Sequence, residues 1–160
     1  MSQLRIRAAH AADATLIADW NAAMALETEG KTLDPGTVRA GVAHGIAHPA
    51  KSRYFMAMED APMAGAETVG VPVGTLMLTT EWSDWRNGDW WWIQSVYVPP
   101  QFRRMGVFTA LYRHVEQLAR DTPGVVGLRL YVERENTNAQ KTYEALGMRD
   151  AGYSILEAEF

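Results

Sequence analysis

Cysteine is absent from the 160-residue chain. That excludes disulfides, thiolate nucleophiles and cysteine-ligated zinc or iron–sulfur sites, and it leaves the redox compartment undetermined. Charged residues are sparse, at 21% against 48% hydrophobic ones, so this is neither a disordered nor a highly solvated chain. No apolar run approaches membrane-spanning length, and the first ten residues, with Arg5 and Arg7 among them, form neither a secretory signal nor an anchor. A cytoplasmic protein with no membrane partner is the expectation. Positive charge is in deficit: 15 Lys and Arg against 19 Asp and Glu give a net charge of −4. General nucleic-acid binding, which needs a basic footprint, is excluded on that ground. The four histidines (His10, His44, His48 and His114) lack metal-ligand spacing, so no metal site is expected, and His114 is read as a surface residue. No repeat, low-complexity tract or long linker interrupts the chain, which predicts a single domain over residues 1–160 with a sizeable core.

What is present is unevenly distributed. Residues 101–121 hold Arg103, Arg104, Arg113 and Arg120 against Glu116 and Asp121, a basic island that suits a compact anion better than a polyanion. Five of the six tryptophans fall between Trp82 and Trp92. Alternation predicts a strand at residues 4–8, and helical spacing of Leu16, Ile17, Trp20 and Met24 predicts a helix over 13–26. The polar stretch from Glu27 reads as a loop. Asp34 followed by Pro35 starts a second helix, which runs to His48. Strands are predicted over 53–59 and 69–80, joined by a turn-rich segment at 60–65, and again over 90–98. A helix over 106–120 carries Val107, Leu111, Val115 and Leu118 in one stripe. A strand at 125–132, a helix capped at Asn136 or Thr137 and ended by Gly147, and a final strand over 149–160 complete a mixed α/β sheet with helices on its faces.

The informative unit is the strand ending at Val98, the loop Pro99-Pro100-Gln101-Phe102-Arg103-Arg104-Met105-Gly106, and the helix after it. A helix that starts after a glycine-bearing loop presents unpaired N–H groups and the positive end of its macrodipole, which together make an anion site. Arg103 and Arg104 add guanidinium groups, and the Thr109 hydroxyl lies in the first turn. An ordinary strand-to-helix turn with solvated arginines fits the same residues. No Gly-Lys-Ser/Thr follows, so this is not a P-loop, and it is not a dinucleotide fingerprint.

The segment from Val98 to Phe108 resembles the acetyl-CoA-binding motif of the GCN5-related N-acetyltransferase (GNAT) superfamily, whose core is Arg/Gln-x-x-Gly-x-Gly/Ala. Asn136-Thr137-Asn138-Ala139 with Tyr143 and Gly147-Met148 is similar to its second signature, Asn-x-x-Ala-x-x-x-Tyr-x-x-x-Gly-Phe. The predicted order β-α-α-β-β-β-α-β-α-β resembles the family's over nearly the whole chain. The resemblance implies an acyltransferase that takes an acetyl group from acetyl-CoA, as co-substrate, to an amine in a ternary complex. It implies that the amides of Arg104, Met105, Gly106, Val107, Phe108 and Thr109 hold the CoA pyrophosphate beside Arg103. It further implies that Val96 and Val98 pair with the pantetheine arm where two central strands splay, that Asn136 contacts that arm, and that Tyr143 is the general acid that protonates the departing thiolate. By its residues alone Tyr143 fits packing on its helix face beside Leu146 as well. Phe108 stands where the motif has Gly or Ala, so its ring must point away from the pyrophosphate; Met148 replaces Phe.

The base is not assigned by the same route, because Gln94 stands where many members have glutamate. Glu27 and Glu29 in the first interhelical loop, Glu81, Asp84 or a water relay are the alternatives. Arg86, Arg129 and Arg134 either bind an acidic acceptor or form surface pairs. Strand alternation puts Trp90, Trp92, Gln94 and Val96 on one face and Trp91, Ile93 and Ser95 on the other. Trp82 and Trp85, in a connecting loop, are candidate acceptor-pocket walls with Gln94, or a contact between two copies of the chain. A non-catalytic acyl-CoA-binding sensor is the competing function, motivated by Gln94.

Overall fold

The β-branched and aromatic runs form one mixed sheet in the computed structural model, which describes residues 4–62 and 68–160. The elements in chain order are β1 (Leu4–Ala8), α1 (Ala14–Glu29), α2 (Pro35–Ala47), β2 (Arg53–Pro62), β3 (Thr68–Ser83), β4 (Gly88–Tyr97), α3 (Val107–Asp121), β5 (Val125–Leu130) and α4 (Thr137–Ala145). Contacts gather into two units, Met1–Leu130 and Tyr131–Phe160. Of the turn expected at 60–65, Asp60 belongs to β2 and residues 63–65 lie outside the described residues. Among the described residues no helix is long and apolar enough to cross a membrane.

The five strands lie in the order β1-β2-β3-β4-β5, antiparallel except for the parallel pair β4–β5. One face takes α1 and α2: Ile17, Ala18 and Val42 pack on Tyr54, Met56 and Met58, with Trp20 and Met77 at the margin. The other face takes α3, whose buried stripe is Val107, Leu111, Tyr112, Val115 and Ala119. Leu111 and Val115 are fully buried with Leu76 and Leu78 of β3. Burying each such side chain contributes roughly 1.5–3 kcal/mol. His114, expected at the surface, is half-buried and meets Phe55 edge-on at 5.3 Å, because it lies at the edge of that stripe. Burial lowers its pKa.

Two elements differ from expectation. The helix α1 continues through Glu27 and Glu29, which were expected in a loop. Ala25 to Glu29 has no helix breaker, Thr28 Oγ1 donates to the Met24 carbonyl at 2.8 Å, and only Gly30 (φ 64°) stops the helix, its N–H returning to Ala25 and Leu26. The final strand is absent: residues 149–160 carry no strand. Gly152 (φ 77°) turns the chain there, its N–H donating to Asp150 Oδ1 at 2.7 Å. Alternating Tyr153 and Ile155 supply β propensity, but a strand needs a paired neighbour, and both side chains are exposed.

The start of α1 is fixed by a charged pair. Arg7 forks onto Asp13, Nη1 to Oδ2 at 2.7 Å and Nη2 to Oδ1 at 2.8 Å, and the His10 N–H donates to Asp13 Oδ2 at 2.8 Å. The Arg7 hydrogen bonds hold the buried Asp13 below the usual carboxylate range. Asp13→Asn is expected to cost about 2 kcal/mol in urea unfolding at pH 7. A depressed folded pKa gives stability that is complete above the unfolded value and lost as pH falls through the folded one. The gap between wild type and variant should therefore start to narrow as pH falls below about 3.9 and vanish below the folded value. A gap undiminished at pH 2 refutes the assignment.

Candidate functional site

The site begins where β4 outruns its parallel partner. The β4–β5 ladder runs from Asp89–Val125 to Ile93–Leu130, whereas β4 continues to Tyr97. Beyond Ile93 that edge of β4 has no pairing partner in β5. On its other edge β4 carries a bulge: Ile93 opposes Leu78 and Ser95 opposes Met77, so Gln94 is the extra residue. The bulge reverses the alternation. Val96, expected on the face of Trp92, lies opposite the buried Leu76 and so shares the α3 face with Ile93. Ser95 and Tyr97 pass to the face of Trp90 and Trp92. Gln94 Nε2 donates to Thr79 Oγ1 at 2.9 Å, which fixes its amide on that same face.

After Val98 and a short 3-10 turn at Pro100–Phe102, the loop takes two left-handed residues, Arg104 (φ 64°) and Gly106 (φ 80°), before α3. Gly106 is the N-cap, and Ala110 is the first helical residue whose N–H returns, to the Gly106 carbonyl at 2.9 Å. The preceding amides of the first turn have no intrahelical acceptor. Left-handed residues alternating with right-handed or extended ones bend successive amides toward one concavity. A cradle for a phosphate-sized anion is what this backbone offers. Gly74 lets the helix start approach: a Cβ there would lie 2.9 Å from Val107 Cγ1 and 3.2 Å from the Tyr97 carbonyl oxygen. Phe108 is half-buried with its ring centroid 6.2 Å from that of Tyr112, one turn on. Arg104, Met105 and Thr109 are exposed.

Arg103 does not stand loose at the cradle as the sequence implied. Its Nε donates to the Val98 carbonyl at 2.9 Å and its Nη2 to Glu27 Oε2, so the guanidinium ties the end of β4 to the end of α1. Glu27 Oε1 accepts from the Tyr97 hydroxyl at 2.7 Å. These bonds, Arg103 first and Tyr97 second, hold the Glu27 carboxyl below its usual range. Burial and the adjoining Glu27 raise the Tyr97 hydroxyl in turn. A carboxylate with both oxygens engaged and its proton affinity reduced is a poor base. Glu29, two residues on, faces elsewhere and pairs with Lys31 at 2.6 Å. The two glutamates are therefore not brought together.

Nor are the three residues expected around an acceptor. Trp82 opposes Asp89 in the β3–β4 ladder, and alternation places it on the face opposite Gln94; Trp85 sits in the hairpin turn, 93% exposed. Sequence reasoning missed Tyr97 as the third member of the Glu27–Arg103 group. It also left Glu81 and Arg129 unconnected, although they form a 2.8 Å ion pair. Cross-strand register is the signal that joins them, and it is not visible along the chain.

In the unit Tyr131–Phe160, Asn136 caps α4, its Oδ1 accepting from the Ala139 N–H at 3.1 Å. Gly147 (φ 93°) follows the helix end. Tyr143 lies between them, half-buried, and burial raises its hydroxyl pKa.

The acetyltransferase (GNAT) family pattern matches residues 21–148. The crystal structure of a possible acetyltransferase from Clostridium difficile 630 is 39% identical, with 98% of this chain and 97% of that one covered at a TM-score of 0.86. An aminoglycoside N-acetyltransferase in complex with CoA shares the fold at a TM-score of 0.76, with 18% identity over 99% of this chain and 96% of that one. Thialysine N-epsilon-acetyltransferase of Caenorhabditis elegans is 35% identical over 75 residues, 47% of this chain and 46% of its own length. The chain thus spans about half the length of that curated relative. On its sequence pattern and its fold together, the chain belongs to the acetyltransferase (GNAT) family.

Proposed function

We propose that the protein is an N-acetyltransferase that moves the acetyl group of acetyl-CoA to a primary amine of a small molecule, an amino acid-like metabolite or a peptide, by direct attack in a ternary complex. The observation that carries this reading is the unpaired edge of β4 beyond Ile93 beside the left-handed loop before α3. Acetyl-CoA supplies an activated thioester. The amides from Arg104 to Thr109 would hold its pyrophosphate, Val96 and Val98 would pair with the pantetheine arm, and Asn136 would contact that arm. A β4 amide in the 96–98 stretch would face the negative charge that develops on the acyl oxygen. Tyr143 would donate the proton to the departing sulfur.

An alkylammonium acceptor must lose a proton before it attacks. Gln94 cannot take it, Glu27 is held ionised by Arg103 and Tyr97, and Glu81 is paired with Arg129. Glu29 is paired with Lys31, and Asp84 accepts from the Trp85 N–H in the exposed hairpin turn. A water relay is the route this arrangement favours, with no single carboxylate essential. Glu27 acts as a positioning residue that joins α1 to the end of β4. Trp82 and Trp85, on the hairpin away from Gln94, fit a contact between two copies of the chain better than an acceptor wall.

Titration calorimetry with acetyl-CoA, followed by a free-thiol assay over pooled amines that include thialysine, lysine and short diamines, tests the reading. Binding with amine-dependent thiol release supports it. No binding at millimolar acetyl-CoA overturns it, and tight binding without release on any amine favours the sensor instead.

A further inference from the structure

One group of interacting side chains on the face of Trp90 and Trp92 has no part in this scheme. In register, Thr79, Trp92 and Arg129 form one row across β3, β4 and β5, and Glu81, Trp90 and Gly127 form the next. Arg129 Nη1 donates to Glu81 Oε1 at 2.8 Å, and the Trp92 indole N–H donates to the other Glu81 oxygen. Because β4 lies between the two charged residues, the Arg129 side chain crosses it. The guanidinium carbon sits 4.2 Å from the Trp90 ring centroid and 5.9 Å from that of Trp92. The Trp90 ring in turn covers Gly127, where a Cβ would lie 2.5 Å from Trp90 Cζ3. The pair is partly shielded, with Arg129 26% and Glu81 43% exposed. Its position is what distinguishes it from an ordinary surface pair: Arg129 is one residue before Leu130, where the parallel ladder ends.

A parallel ladder that stops while one strand continues can close by one more pair or fray by one. Either change rotates the edge of β4 beyond Ile93. The bulge and the Gln94–Thr79 hydrogen bond hold β4 on its β3 side. At the end of the parallel ladder the Glu81–Arg129 tie, which spans β4, adds to the backbone pairing that holds β4 against β5. We propose that Glu81, Arg129 and Trp92 form a positioning clamp that sets where β4 parts from β5, and so where the β4 backbone beyond Ile93 meets the acyl carbonyl. The clamp rests on the reading of that gap as the thioester site. Its residues bond to one another across the strand and act through β4.

The test uses the full chain, [1-13C]acetyl-CoA and CoA. On the wild type the bound carbonyl resonance is expected downfield of the free one. Glu81→Gln keeps an acceptor for the Trp92 indole but removes the charge, and Arg129→Met removes the fork. Both should lose about half or more of that displacement, since about an ångström of misplacement suffices to uncouple such contacts. CoA affinity by calorimetry should change by less than about threefold, because the pyrophosphate cradle is separate. Arg129→Lys, which keeps the ion pair, should recover most of the displacement, and E81Q/R129M should shift no further than either single variant. A merely structural role would lower the melting temperature and leave the resonance in place. Wild-type displacement in both single variants overturns the clamp, as does binding to the wild type with no displacement. Failure of the wild type to bind acetyl-CoA overturns the underlying reading and the clamp with it. Where R129M does not fold, E81Q against R129K decides.

Discussion

Tyr143→Phe is expected to lower kcat by about a hundredfold or more, the range for a lost general acid, with CoA affinity within about twofold of wild type. Tyr143 sits in the last turn of α4, between the Asn136 cap and Gly147, in a helix whose ends are both fixed. Its burial favours the neutral phenol and raises the pKa above the ordinary value of about 10. The sign matters for an acid. The proton is retained through neutral and mildly alkaline pH, and the donor is lost only above the ordinary tyrosine value. The residue would protonate a thiolate whose own pKa lies near that of cysteine, about 8.5. At pH 7 the departing sulfur needs that proton, and well above pH 8.5 it does not. The deficit of the variant should therefore shrink as pH rises, and a pH–rate profile from 6 to 10 reads this directly. A variant that keeps kcat within twofold at pH 7 assigns Tyr143 to packing alone.

The elements that position this chemistry were largely legible because their signals are local. Asp34 accepts from the Thr37 N–H at 2.7 Å, Asn136 caps α4, and Gly106 and Gly147 occupy left-handed positions at helix ends. Each is a one-turn pattern that a sequence states outright. Trp91 and Ile93 are buried on one face as simple alternation required. What was not legible depends on residues far apart in the chain. Val96 changes face because Gln94 bulges, and that bulge exists only in the pairing of β4 with β3. Glu27 reads as one of two equivalent carboxylates until α1 is seen to continue, after which helical geometry turns it toward Tyr97 and Arg103, 70 and 76 residues away. Glu81, a candidate base, and Arg129, a candidate acceptor contact or surface pair, lie 48 residues apart and are unconnected until three strands align. The last strand failed for the opposite reason. Its local pattern was sound, but residues 149–160 carry no strand and bend at Gly152.

Gly106→Ala is expected to weaken CoA binding by about tenfold or more, equivalent to about 1.4 kcal/mol, and Gly124→Ala provides the matched control. The two glycines have nearly the same backbone, φ 80° and 82°, and a Cβ at either meets nothing within 4 Å. Neither substitution clashes, so the cost in both is the left-handed conformation itself, about 1–2 kcal/mol for a residue with a side chain. That predicts similar losses of melting temperature. The consequences then diverge with position. Gly124 precedes β5, where its carbonyl accepts the Asp89 N–H at 2.8 Å, away from the loop before α3. Gly106 sets the direction of the amides around it at the positive end of α3. Relief of strain there, by rotation of φ toward negative values, turns those amides out of the concavity and removes donors on which the proposed CoA site relies. Calorimetry with CoA on both variants separates the two effects. Equal affinity losses, or none in Gly106→Ala, would move the pyrophosphate away from this loop. A loss confined to Gly106→Ala ties the anion site to the one turn whose backbone the sequence already marked with glycine.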